Sequence, residues 1–185
     1  MFTRTQIFTA VLAALPTINA CTGPDINDDS IELIKEFEGF VDSPYSDPVG
    51  YPTVGYGHLC SDSDCSEVGY SFPLTEETGT QLLAEDLVEY QDGLTNVLVD
   101  EVTLDANQYG ALVSWTFNMG VGAVSDSTLV ARLNEGEDPD TVASEELPKW
   151  VYAGGEILPG LVRRRDAEVA LFTNGTSEGA LPVDC

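Results

Sequence analysis

From residue 29 onward the chain moves between two hydrophobic rhythms. Ile31, Ile34 and Phe37, with Leu33, recur at helical spacing, which puts them on one face. Asp29 or Ser30 suits the N-cap, with Asp29 and Glu32 spaced like a capping box. Gly39 is the expected stop and leaves Glu38 in the last turn. From 40 to 58 the period changes: Gly, Pro and Asp alternate with Tyr and Val, as in a small antiparallel sheet with tight turns. Helical spacing returns after Thr75, Glu76 and Glu77, where Leu83, Leu87, Tyr90 and Leu94 share one side of a long helix. Gly79 and Gly93 weaken that helix. Thr103 or Asp105 starts another, through Tyr109, Leu112, Val113 and Phe117, which ends at Gly120. Ser127 caps a short helix up to Asn134, and Asp138-Pro139 reads as a cap followed by proline at the first helical position. Gly154-Gly155 and Pro159-Gly160 break the chain before a last helix over about 161–172. The pattern predicts an α+β fold, mostly helical, with a small antiparallel sheet lobe inserted after the first helix.

At 185 residues, one domain with a sizeable core is expected over 21–185. Residues 1–20 read as a secretory signal peptide: Arg4 supplies the positive end, 7–15 is apolar, and Ile18-Asn19-Ala20 is a small-residue exit. A bacterial lipoprotein signal is the rival, because Cys21 follows Ala20 directly; Asn19 suits it poorly. The expectation is a secreted, extracellular protein, with no later segment apolar enough for membrane insertion.

Four cysteines fit two disulfides in an oxidising compartment. Of the three pairings, Cys60 with Cys65 staples a polar loop, which leaves Cys21 to join Cys185 at the other chain end. A loop that long contributes roughly 4–5 kcal/mol in the chain-entropy view. One histidine and no clustered cysteine pairs argue against a metal site. Asn174-Gly175-Thr176 is a glycosylation sequon.

Charge narrows the partners. The formal net charge is −25, which repels nucleic acid and anionic membranes. Bacterial walls are anionic too, so a wall-degrading activity would belong in acid, where carboxylates on both sides protonate.

The most informative stretch runs from 38 to 58: Glu38-Gly39, Tyr45, Asp47-Pro48-Val49-Gly50, then Thr53-Val54-Gly55-Tyr56-Gly57-His58. Among 32 acidic residues an acidic pair alone means little, and Glu38 and Asp47 taken singly read as a helix-end glutamate and a turn former. A glycoside hydrolase needs one protonated carboxyl at the leaving oxygen and one ionised carboxyl on the other face. A helix end disfavours a second negative charge by only about 0.3–1 kcal/mol, too little by itself to make a general acid. Burial against Phe37, Phe40 or Tyr45 would have to add to that, and a nearby arginine would oppose it. Asp47 lies in a turn whose N–H groups favour its ionised form.

This run resembles the Glu–Asp–Thr signature of the phage-type lysozymes, the T4-like glycoside hydrolases of family 24. The stretch from Gln108 to Gly120, then Ser127-Thr128-Leu129, Leu133-Asn134, Trp150 and 160–168, matches the same family. The resemblance implies a lysozyme-like fold of two lobes joined by a long helix, with substrate in the cleft between them. It implies a muramidase that hydrolyses the β-1,4 bond between N-acetylmuramic acid and N-acetylglucosamine in bacterial peptidoglycan, without a cofactor. Glu38 would be the acid, Asp47 would activate water, and the Thr53 hydroxyl would hold that water. A lytic transglycosylase, or a non-catalytic peptidoglycan-binding effector, are the alternatives.

Other residues carry two readings each. Tyr45, Asn118 and Trp150 are candidate substrate contacts; Asn118 also suits the end of its helix, and Trp115 and Trp150 also suit the core. His58 reads as a catalytic base or, in preference, as a structural hydrogen-bonding residue paired with Asp86 or another acid on the long helix. The basic run Arg163-Arg164-Arg165 would either bridge Arg164 to Glu168 four residues on, or steady the cleft acids.

Overall fold

The computed structural model describes residues 21–47 and 49–183. The leader expected over 1–20, Pro48 of the expected turn, and Cys185, expected to pair with Cys21, lie outside the described residues. Helix α1 spans Asp28–Glu38. Its N-cap is Asn27, whose side chain accepts from the Ser30 N–H, instead of the expected Asp29 or Ser30. The reason is tertiary. Ser30 is buried against α3, where a Cβ added at Gly110 would come within 1.8 Å of the Ser30 hydroxyl oxygen, so Ser30 cannot serve as the flanking cap. Gly39, at φ 73°, ends the helix and fixes Glu38 as its last residue.

The sheet lobe follows directly. Strands β1 (Val41–Ser46), β2 (Pro52–Gly55) and β3 (His58–Leu59) pair antiparallel in sequence order, with Tyr45 opposite Thr53. Val54, Cys60, Cys65, Leu74 and Leu82 form a small core, closed by the Cys60–Cys65 disulfide. Phe40 packs against this cluster and against the main core, tying the lobes together.

Helix α2 (Glu76–Val97) is capped by Thr75 and runs unbroken through both glycines. Each costs roughly 1 kcal/mol against alanine, and each permits a close approach that offsets it. A Cβ at Gly79 would meet the Phe40 ring at 2.5 Å, and one at Gly93 would meet Val121 at 2.4 Å.

The helical lobe surrounds α3 (Ala106–Met119), capped by Asp105 and ended by Gly120. Tyr109, Leu112, Val113 and Trp115 are wholly buried there, against α1, α2 and α7. Strand β4 (Leu104–Asp105) precedes α3 and pairs with β7 (Gly179–Leu181). Then come α4 (Val121–Ser125), α5 (Thr128–Asn134), capped by Ser127, and α6 (Pro139–Glu146), capped by Asp138. Helix α7 spans Pro159–Phe172, beginning earlier than expected because Pro159 occupies the first helical position. Gly154 and Gly155 do more than break the chain. Their φ values of 60° and 85° form the two-residue turn of a hairpin, β5 (Tyr152–Ala153) to β6 (Glu156–Ile157). The architecture is the expected α+β arrangement of a small sheet lobe and a larger helical one.

Candidate active site

Glu38 ends α1 at the junction of the lobes. Its Oε1 accepts from Arg164 Nη1 of α7 at 2.5 Å. On the sheet side, a Cβ at Gly57 would stand 3.8 Å from its other oxygen. The side chain keeps 23% of its exposure, enough to meet a ligand. Gly57 also lines a cavity of about 500 Å³, with His58 and Leu59 from the sheet lobe and Asp86, Glu89 and Tyr90 from α2, among others; Glu38, Asp47 and Thr53 are not among its lining residues. Burial, then the neighbouring Glu89, pushes the Tyr90 hydroxyl up to about 12, so Tyr90 is neutral at any working pH.

Asp47 is held quite differently. Its Oδ1 accepts from the N–H of Val49 at 2.9 Å and of Tyr51 at 2.7 Å. Its own backbone N–H and C=O bond Tyr51 and Gly50. The polar turn read from the sequence is present, and two of its N–H groups converge on one carboxylate oxygen. Thr53 is buried on β2, and its hydroxyl donates to the Tyr51 carbonyl at 3.1 Å. The oxygen retains acceptor capacity. Tyr45, its cross-strand neighbour, is exposed.

His58 Nδ1 lies 2.8 Å and 3.0 Å from the two Asp86 oxygens, so of the acids on the long helix it is Asp86 that it takes. Burial raises the Asp86 carboxyl, and the His58 hydrogen bond opposes that. His58, Cys60 and Glu67 converge closely enough to suggest a cation site. The Cys60 sulfur is bonded to Cys65, which removes it as a ligand.

Both readings of the arginine run hold together. Arg164 reaches Glu38 and also Glu168, with Nε 3.3 Å from the latter's Oε1, while Arg163 stays exposed. Asn118 Oδ1 accepts from Arg165 Nη2 at 3.1 Å, fastening the end of α3 to α7. Trp150 is half-buried, its ring edge-on to buried Trp115 with centroids 5.2 Å apart. The sequence reading missed Glu168 as a buried group. Its signal is spacing: four residues separate it from Arg164 and four more from buried Phe172, all on one stripe of α7.

The sequence pattern of the phage lysozyme family matches residues 35–168. The endolysin of Bacillus phage B103 is 38% identical over 156 residues, covering 83% of this chain but 56% of its own. The chain therefore spans about half the length of the Bacillus phage endolysins it matches. The endolysin of Salmonella phage P22 is 35% identical and is covered over 97% of its length, against 80% of this chain. Among solved structures, a mutant of P22 lysozyme superposes with a TM-score of 0.69 at 32% identity, covering 82% of this chain and 99% of its own. The muramidase domain of SpmX from Asticaccaulis excentricus gives 0.67 at 32% identity, covering 81% and 98%.

Proposed function

The chain belongs to the phage lysozyme family, and from that premise we propose that it is a peptidoglycan-hydrolysing lysozyme. Its bond is the β-1,4 linkage between N-acetylmuramic acid and N-acetylglucosamine. The observation that carries this reading is the unlike surroundings of two carboxyls, Glu38 at the lobe junction and Asp47 in its N–H-lined turn. Unlike environments are what divide acid from base in such a pair.

Glu38 donates its proton to the glycosidic oxygen. Asp47 remains ionised and draws a proton from water, while Thr53, its own hydrogen already given to Tyr51, accepts the water's other hydrogen. That order gives inversion at the anomeric carbon, for which carboxyls stand roughly 6.5–9.5 Å apart. The mechanism needs no cofactor. Tyr45, Asn118 and Trp150 border the substrate path in this reading.

The protein acts as a secreted, extracellular monomer of the T4-like type in an acidic medium, where its net charge of −25 no longer repels the anionic wall. Among the described residues, no helix is long and apolar enough to cross a membrane. One observation favours a second reading, a non-catalytic peptidoglycan-binding effector: one oxygen of Glu38 is already engaged by the Arg164 guanidinium. Mass analysis of purified walls digested at several pH values separates the two. Hydrolysed N-acetylmuramic acid ends, with most turnover below neutrality, support the lysozyme. Anhydro-muramic ends, or intact walls, overturn it.

A further inference from the structure

Helix α7 carries two adjacent buried arginines, Arg164 and Arg165. Among the described residues, the carboxyls paired with them are Glu38, on α1, and Glu168, one turn further along α7. Glu168 is wholly buried, where an unpaired carboxylate is costly. Its Oε1 accepts from the Ser114 hydroxyl at 2.9 Å, from Arg165 Nη2 at 2.8 Å and from Arg164 Nε at 3.3 Å. Its Oε2 stands 2.7 Å from Arg165 Nε. Two cations against one buried anion leave one positive charge, and Arg164 turns it toward Glu38.

That excess matters because Glu38 must hold a proton to act. Beside two uncompensated guanidiniums it would ionise early. We propose that Glu168 is a positioning residue for the catalytic acid. It anchors Arg164 next to Glu38 and cancels enough of the cluster's charge for Glu38 to stay protonated in the working range. The proposal rests on the reading of Glu38 as general acid.

The remaining charges around the cluster have other partners. From α3, Asn118 accepts from Arg165 and Ser114 donates to Glu168. From α6 and the turn after it, Glu146 and Lys149 pair with each other, and Glu146 also with Arg132. On α1, Lys35 pairs with Glu32. On α2, Tyr90 is neutral, Asp86 is bonded to His58, and Glu89 lines the cavity. Burial pushes the Glu168 carboxyl up, while Arg165 and Arg164 pull it down.

The test is the alkaline limb of the kcat/KM profile on soluble peptidoglycan fragments, which reports loss of the acid's proton. Glu168→Gln keeps the shape and removes the anion, so the limb moves to lower pH by about one unit. Arg165→Met removes a cation and moves the limb to higher pH. The double variant restores it to near the wild-type position. A merely structural role lowers activity without opposite displacements, so an unmoved limb, or both singles shifting the same way, overturns the proposal. If Glu168→Gln fails to fold by near-ultraviolet circular dichroism, Arg165→Met decides alone: an alkaline shift supports the proposal and a fixed limb ends it. Glu38→Gln serves as control. If that variant still cuts, the acid assignment fails and takes this proposal with it. If it is dead and the limbs stay fixed, only the role of Glu168 is lost.

Discussion

The two candidate catalytic carboxyls are held by opposite strategies. Asp47 takes its partners from residues two and four positions away in the chain. Glu38 takes its partner from 126 residues away. The Asp47 partners are backbone N–H groups, which do not titrate and are not lost by mutating a side chain. The Glu38 partner is a buried cation inside a charged cluster. In the roles proposed for them, fixed local dipoles suit the base, Asp47, and a cluster of charges that can be balanced suits the acid, Glu38. The lobes follow the same division, the small one pinned locally and the large one cross-linked at long range.

The largest test of this contrast is Glu38→Gln, which should lower wall clearing about a thousandfold while pull-down on insoluble walls still recovers the protein. Retained clearing would place the chemistry elsewhere. Asp47→Asn should cost about a hundredfold in kcat with circular dichroism unchanged, since the amide oxygen still accepts from Val49 and Tyr51. Unfolding would show that the turn depends on the charge. Replacing Cys60 and Cys65 with serine opens a loop of sequence separation 5. The loss should be about 2 kcal/mol in urea unfolding, with turnover at low temperature kept if the sheet lobe is pinned by its own turns.

The smallest effect tests the large lobe at Arg132, which binds Glu137, Glu145 and Glu146. The Arg132 hydrogen bond holds Glu137 below the usual carboxylate range. Burial pushes Glu146 up, but bonds from Lys149 and Arg132 outweigh it and its pKa is also lowered. Depressed carboxyls contribute stability above their unfolded pKa, and that stability is lost as pH falls through the folded value. Arg132→Ala should therefore lower Tm at pH 6, with the gap to wild type closing toward pH 3. A gap independent of pH would show that Arg132 acts by packing alone.

Legibility in the sequence followed the same boundary. The turn at Asp47, the stop at Gly39, the helix start at Thr75, the caps at Ser127 and Asp138, and the Cys60–Cys65 staple depend on neighbours in the chain, and all could be read there. The N-cap at Asn27 could not, because it is decided by the crossing of Ser30 over Gly110. Nor could the persistence of α2 through Gly79 and Gly93, which depends on Phe40 and Val121 arriving from elsewhere. At the site, Glu38, Asp47 and Thr53 stood out because they share one short run. Glu168 did not, since one more acid on a helix reads as solvated until the cations beside it are seen to be buried.

The 126-residue gap between Glu38 and Arg164 also orders events at the ribosome. The N-terminal part of a chain emerges first, so a nascent polypeptide stopped anywhere before residue 164 carries Glu38 without its guanidinium partner. The ion pair at the lobe junction can form only once the chain has been made as far as α7.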